Sequence, residues 1–180
     1  EYDDVHRYVT RLSEARGQWQ SEVTGKVHDS AVAALLIAKA SLAAEHGVPL
    51  RLAPSCLLGE VDEHLSADLV TVLGNLIDNA LDVLRGHLPA DQSIEVDLRE
   101  VDGEVRVEVR DTGPGVAPEI AQEVFRHGFT TKAAELGGQR GLGLAITRQT
   151  CVRRGGGVDV YNAGGAVFTA RLPIVAGVPV

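Results

Sequence analysis

Asn75, Asp78, Asn79 and Asp82 fall on one side of a stretch whose other side carries Leu69, Val72, Leu73, Leu76, Ile77, Ala80, Leu81 and Leu84 at helical spacing. A solvent face built for stability would use Glu, Lys, Gln or Arg. Asn and Asp compete for the backbone with their short side chains and together cost about 1–2 kcal/mol of helix propensity. What they offer in return is a row of side-chain oxygens, the hard ligands that Mg²⁺ takes in ones and twos beside phosphate and water. Asp111 is the second anomaly. It closes the alternating run "EVRVEVRD", so it points the same way as Val105, Val107 and Val109, towards the apolar side. A carboxylate there needs a donor, and an exocyclic amine would serve. The following "DTGPGV" reads either as a tight turn or as glycines, Gly113 and Gly115, that let a flat ligand approach the backbone.

Two further stretches carry positive character. Residues 125–141, "FRHGFTTKAAELGGQRG", hold Arg126, Lys132 and Arg140 against the single acid Glu135, with two of the chain's three phenylalanines, Phe125 and Phe129. Such a stretch is a surface loop or a basic flap over an anion, hinged by Gly128, Gly137 and Gly138. "GLGLAITRQ", 141–149, opens a helix with glycines, and a helix N-terminus offers free N–H groups and a positive dipole to phosphate. Adenine, triphosphate and Mg²⁺ each find a candidate partner. Neither a P-loop nor a dinucleotide-binding glycine pattern is present.

The elements that must position these residues are legible from periodicity. Val5, Tyr8, Leu12, Ala15 and Trp19 form a short heptad-like seam. It is a piece of a longer helix or a terminal helix packing on its own domain. "QSEVTGKVHD", 20–29, reads as a polar connector. Helices are expected over Ser30–Glu45, stopped by Gly47, over about Ser66–Leu88, and over 142–154. A strand is expected within 48–54. Hairpins join "SIEVDLREV" to "EVRVEVRD" through Asp102-Gly103, and "GVDVYN" to "AVFTARL" through Ala163-Gly164-Gly165. This order predicts an α+β fold, a sheet with helices over one face.

Bulk properties exclude other classes. The net charge of −8 over 180 residues disfavours nucleic acid as a partner. Cys56 and Cys151 are too few for a disulfide scaffold and lack metal-site spacing. The longest apolar run, "AVAALLIA" at 31–38, is too short to cross a bilayer.

In this order the motifs resemble the ATP-binding catalytic domain of sensor histidine kinases, within the GHKL superfamily. "NLIDNALD" resembles its N box, "DTGPG" its G1 box, "VFRHGFTTK" its F box and "GQRGLGLAI" its G2 box. The likeness runs over roughly 27–173. "EYDDVHRYVTRL" and "ALLIAKASLAAEHGV" are most similar to the citrate and C4-dicarboxylate sensor branch. The resemblance implies the two-layer α/β sandwich known as the Bergerat fold over 27–175, preceded at 1–20 by the remnant of a dimerisation and phosphoacceptor helical region. It implies that ATP and Mg²⁺ bind, with Asn79 on the metal and Asn75 supporting it or touching phosphate. Asp111 would read the adenine amino group between Gly113 and Gly115. Thr131 and Lys132 would belong to the lid, Gly141, Leu142, Gly143 and Leu144 would give backbone to the triphosphate, and Thr169 would help Asp111 through water. Asp82 is a further, less defined member of the site. The implied partners are a response regulator and a dimer mate, in a cytoplasmic domain of a membrane sensor. His28-Asp29 superficially fits a phosphoacceptor with its acidic neighbour, but it lies in the connector, so the acceptor is expected outside this chain. A serine kinase of the anti-sigma-factor type and a non-catalytic nucleotide-binding or dimerisation module are the rival readings.

Overall fold

The computed structural model describes residues 2–85, 91–126 and 142–175. Helices α1 (Tyr2–Lys26) and α2 (Ser30–Glu45) come first, followed by β1 (Leu50–Leu52) and α3 (Glu63–Leu84). The hairpin β2 (Ile94–Val101) and β3 (Glu104–Asp111) follows, then two short 3-10 turns, Pro118–Ile120 and Glu123–Phe125. Helix α4 (Gly143–Arg153) and the hairpin β4 (Gly157–Asn162) and β5 (Ala166–Pro173) complete the order. The five strands make one sheet, β1-β2-β3-β5-β4. Only β1–β2 is parallel; the other pairs are antiparallel.

One face of this sheet is apolar. Ile94, Val96 and Leu98 join Val105, Val107 and Val109 and Phe168, Ala170 and Leu172 in a single core with Leu69, Leu73, Leu76, Ile77 and Leu84 of α3. The other face is charged, and its ion pairs run along the strands: Arg99–Asp97 at 2.8 Å, Arg106–Glu104 at 3.1 Å, Arg110–Glu108 at 3.2 Å. The exposed arginines mark a solvated surface where such pairs contribute at most about 1 kcal/mol each, whereas Asp97 is itself buried and also accepts from Ser55 Oγ at 2.9 Å. Helices over one face and water over the other give the expected two-layer sandwich.

Two boundaries differ from the sequence reading. The connector at 20–29 is helix as far as Lys26. Low-propensity Thr24 and Gly25 are overruled by burial, because Val23 and Val27 enter the core and Trp19 packs against it. Leu58 bonds the backbone on both sides of Val27, its N donating to Lys26 O and its O accepting from His28 N, both at 2.9 Å. Farther out the seam is bare: Val5 and Tyr8 are 61% and 65% exposed. Helix α3 begins at Glu63, ahead of Ser66, because Asp62 caps it through the N–H groups of His64 and Leu65. Its expected end near Leu88 lies outside the described residues.

Asp29 has a structural task. Its Oδ1 accepts from Val32 N at 3.0 Å, capping α2, and from Ser66 Oγ at 2.9 Å, tying α2 to the first turns of α3. Asp29→Ala is expected to lower stability by about 1–2 kcal/mol. Urea unfolding will check this, with the midpoint falling at unchanged slope.

Candidate nucleotide site

The polar face of α3 organises the site. Asn75 and Asn79 are half-buried, one turn apart, and Val83 follows one turn later. That row is about 12 Å long at the helical rise. Each end meets a different loop. At one end, a Cβ built on Gly143 would lie 3.4 Å from Asn75 Oδ1, so the start of α4 rests on Asn75. At the other, a Cβ on Gly113 would lie 2.8 Å from Val83 Cγ1 and 2.9 Å from Asp111 Oδ1. Only glycine allows the loop after β3 to come this close to α3. Asn79 lies midway, between the helix N-terminus and the buried aspartate.

Asp111 is only 2% exposed. Its Oδ1 accepts from Gly113 N at 2.8 Å and Ala166 N at 3.3 Å. Burial pushes this carboxyl above the ordinary carboxylate range, and those two N–H donors pull it partly back. Both of these bonds fall on Oδ1, so among the described residues Oδ2 is the oxygen open to a further donor.

The end of the row at α4 has different chemistry. Leu142 stands at the N-cap of α4 without a side-chain cap. The helix ladder opens with Ile146 N donating to Leu142 O at 2.8 Å, so the N–H groups of Gly143, Leu144 and Ala145 precede it. N–H donors at the positive end of a helix dipole suit an anion. Gly143, Leu142 and Leu144 are half-buried there.

The acids of α3 divide. Asp78 forms an ion pair with Lys39 of α2 at 2.5 Å, so it braces two helices. Asp82 is exposed, with Arg85 at 3.9 Å, and lies one turn from Asn79 towards the Gly113 end. Among the described residues no group of three or more His, Cys, Asp or Glu could hold a metal by itself. A cation beside Asn79 would therefore draw most of its ligands from phosphate and water, the usual state of Mg²⁺ at a nucleotide.

Thr169 does not belong to this site. The β3–β5 register pairs Val109 with Phe168 and Glu108 with Thr169, and β4 adds Asp159 to the same row. Strand alternation sends Thr169 to the charged face, away from Asp111. The residue beside Asp111 on its own face is Ala166, which serves it through the backbone. The lid residues Thr131 and Lys132, and Gly141 of the glycine-rich stretch, lie outside the described residues, as do Gly128, Phe129, Gly137, Gly138 and Arg140. The base from which that stretch departs is fixed: Phe125 is buried and meets Phe168 edge-to-face, centroids 6.0 Å apart.

Asn162 was missed by the sequence reading. It ends β4 and grips the loop after Asp111, its Oδ1 accepting from Val116 N at 2.9 Å and its Nδ2 donating to Val116 O at 2.7 Å. The only hint in the sequence is an Asn just before a glycine turn, which suggests nothing beyond a turn.

Comparison with known proteins identifies the family and the fold. Residues 64–176 match the family described as histidine kinase-, DNA gyrase B-, and HSP90-like ATPase. The sensor histidine kinase DcuS of Escherichia coli K12 is 34% identical over 169 residues, covering 93% of this chain and 30% of that protein. The sensor protein CitS of Bacillus subtilis is 32% identical over 179 residues, covering 96% and 31%. The chain thus spans about a third of the length of these relatives. The catalytic domain of histidine kinase ThkA shares the fold, with a TM-score of 0.64 at 22% identity over 81% of this chain and 92% of that one. The two-layer sandwich, the Asn75–Asn79 row and the buried Asp111 thus stand in a chain that belongs to the histidine kinase-, DNA gyrase B-, and HSP90-like ATPase family.

Proposed function

We propose that this chain is the Mg²⁺-ATP-binding catalytic portion of a sensor histidine kinase, the cytoplasmic part of a membrane sensor. The observation that carries the reading is the single α3 row joining Asn75 and Gly143 at one end to Gly113 and Asp111 at the other. Adenine would enter at Asp111 between Gly113 and Gly115. The phosphates would reach the start of α4 at Leu142, Gly143 and Leu144, with Gly141, Thr131 and Lys132 closing over them. Asn79 would hold Mg²⁺, Asn75 would support it, and Asp82 would stand at the rim between the two ends. Bound there, the cation would neutralise charge on the phosphates.

Phosphate would pass to a histidine on a helix outside this chain, then to an aspartate of a response regulator, with a dimer mate in the whole protein. The side chains at the phosphate end favour this over a serine kinase. The α3 face there presents amides, which take no proton, and Asp78 is committed to Lys39. A serine hydroxyl needs a general base, whereas neutral imidazole carries a free lone pair near physiological pH.

The test uses a longer protein that includes the upstream helix. Incubated with Mg²⁺ and γ-labelled ATP, it is expected to acquire acid-labile, base-stable phosphate, while the 180-residue chain alone binds ATP and stays unlabelled. Acid-stable label on a hydroxyl residue would favour the serine kinase. Binding without any label on the longer protein would favour a non-catalytic module.

A further inference from the structure

We propose that Asn162 is a positioning residue for the nucleotide pocket, one that holds the Gly113–Val116 loop in its binding shape without touching the nucleotide. This rests on the nucleotide reading above. The loop has two fixed ends. Its start is held by Asp111 Oδ1 on Gly113 N at 2.8 Å and by Thr112 Oγ1, which accepts from Ser93 N at 3.0 Å. Its finish is held by the Asn162 carboxamide, which binds both the N–H and the C=O of Val116, at 2.9 and 2.7 Å. One side chain therefore replaces a rung of β-ladder beyond the end of β4.

Between these clamps Pro114 fixes one φ, and the glycines on either side of it, Gly113 and Gly115, are the free joints. Gly115 has φ +80°, and a Cβ there would lie 2.6 Å from Asn162 Oδ1. Asn162 thus both bonds the loop and limits what can stand at Gly115. Asn162 and Val116 meet at the surface, so water can satisfy Val116 if the carboxamide is removed. The folded state then loses little. The loop beside Asp111 gains freedom, and a nucleotide must order it again on binding. Affinity should fall while thermal stability holds, which separates a positioning role from a merely structural one.

Calorimetric titration with Mg²⁺-ADP of the wild-type chain, Asn162→Ala, Gly115→Ala and the double variant tests the assignment. Asn162→Ala is expected to raise Kd about five- to tenfold, with Tm within about 2 °C of wild type. Gly115→Ala should weaken binding strongly in the wild-type background and less in Asn162→Ala, because its methyl no longer meets Oδ1. Amide exchange at Gly113 and Val116 should quicken in Asn162→Ala while the core strands keep their protection. An unchanged Kd in Asn162→Ala overturns the proposal. A drop of many degrees in Tm with exchange rising throughout the sheet also overturns it, making Asn162 a fold element. A wild-type chain that fails to bind Mg²⁺-ADP overturns the nucleotide reading itself, a different result from a variant that binds as well as wild type.

Discussion

Asn79→Ala is expected to abolish Mg²⁺-dependent ATP binding, raising Kd at least about 100-fold, in a chain that stays folded. Removing a supporting group around a metal already costs 10–100-fold, and removing the ligand itself should cost no less. The fold should survive because Asn79 lies on the polar side of α3, half-buried, while Leu76, Ile77, Ala80 and Leu81 carry the packing. Alanine also favours the helix by about 0.5 kcal/mol relative to asparagine. Titration calorimetry with and without Mg²⁺, beside circular dichroism of each protein, separates the two effects. Wild-type affinity in the variant would remove Asn79 from the metal. Loss of helical signal would show a packing role instead.

Asp111→Asn should separate binding from stability even more clearly. The asparagine oxygen can keep both bonds from Gly113 and Ala166. Its Nδ2 then faces the pocket as a donor where Asp111 Oδ2 was an acceptor, so an incoming exocyclic amine meets another donor. A buried polar mismatch of this kind is expected to weaken ATP about 100-fold or more.

Stability should move the other way. Burial raises the Asp111 carboxyl above its ordinary value, so the folded protein holds that proton more tightly than the unfolded chain. Wild-type stability from this group is then fullest below the unfolded carboxylate pKa of about 3.9 and falls as pH rises through the raised folded value. The neutral variant lacks this loss. Its stability relative to wild type should be smallest in acid, should grow as pH climbs out of the carboxylate range, and should level off towards neutrality. Denaturant titrations at a series of pH values check this. A difference that grows as pH falls would contradict the burial cause.

What could be read early was local. The β2–β3 hairpin announced itself through alternation and Asp102-Gly103, and Asp102 does take the positive φ, +53°, that such a turn asks of its residues. The inward aim of Asp111 followed from the same alternation, because side chains two apart share a face whatever lies beyond. The helical row of Asn75 and Asn79 was equally a matter of period. Thr169 shows where such reasoning stops. Its own strand could be recognised, but which face it shares with Asp111 depends on how β5 is set against β3, and a shift of one residue reverses the answer.

By itself the sequence determined the kinds of element, the faces they present and most of the side chains proposed here for a magnesium nucleotide, since propensity, period and side-chain chemistry act within a few residues. Only the tertiary structure decided which groups meet. Docking carried α1 on to Lys26, pairing placed β5 between β3 and β4, and close approach laid Gly143 on Asn75, Gly113 on Val83 and Asn162 on Val116. Those contacts join residues 30 to 80 positions apart or span separate strands, and they form because burying one shared core outweighs the weak local preferences along the way.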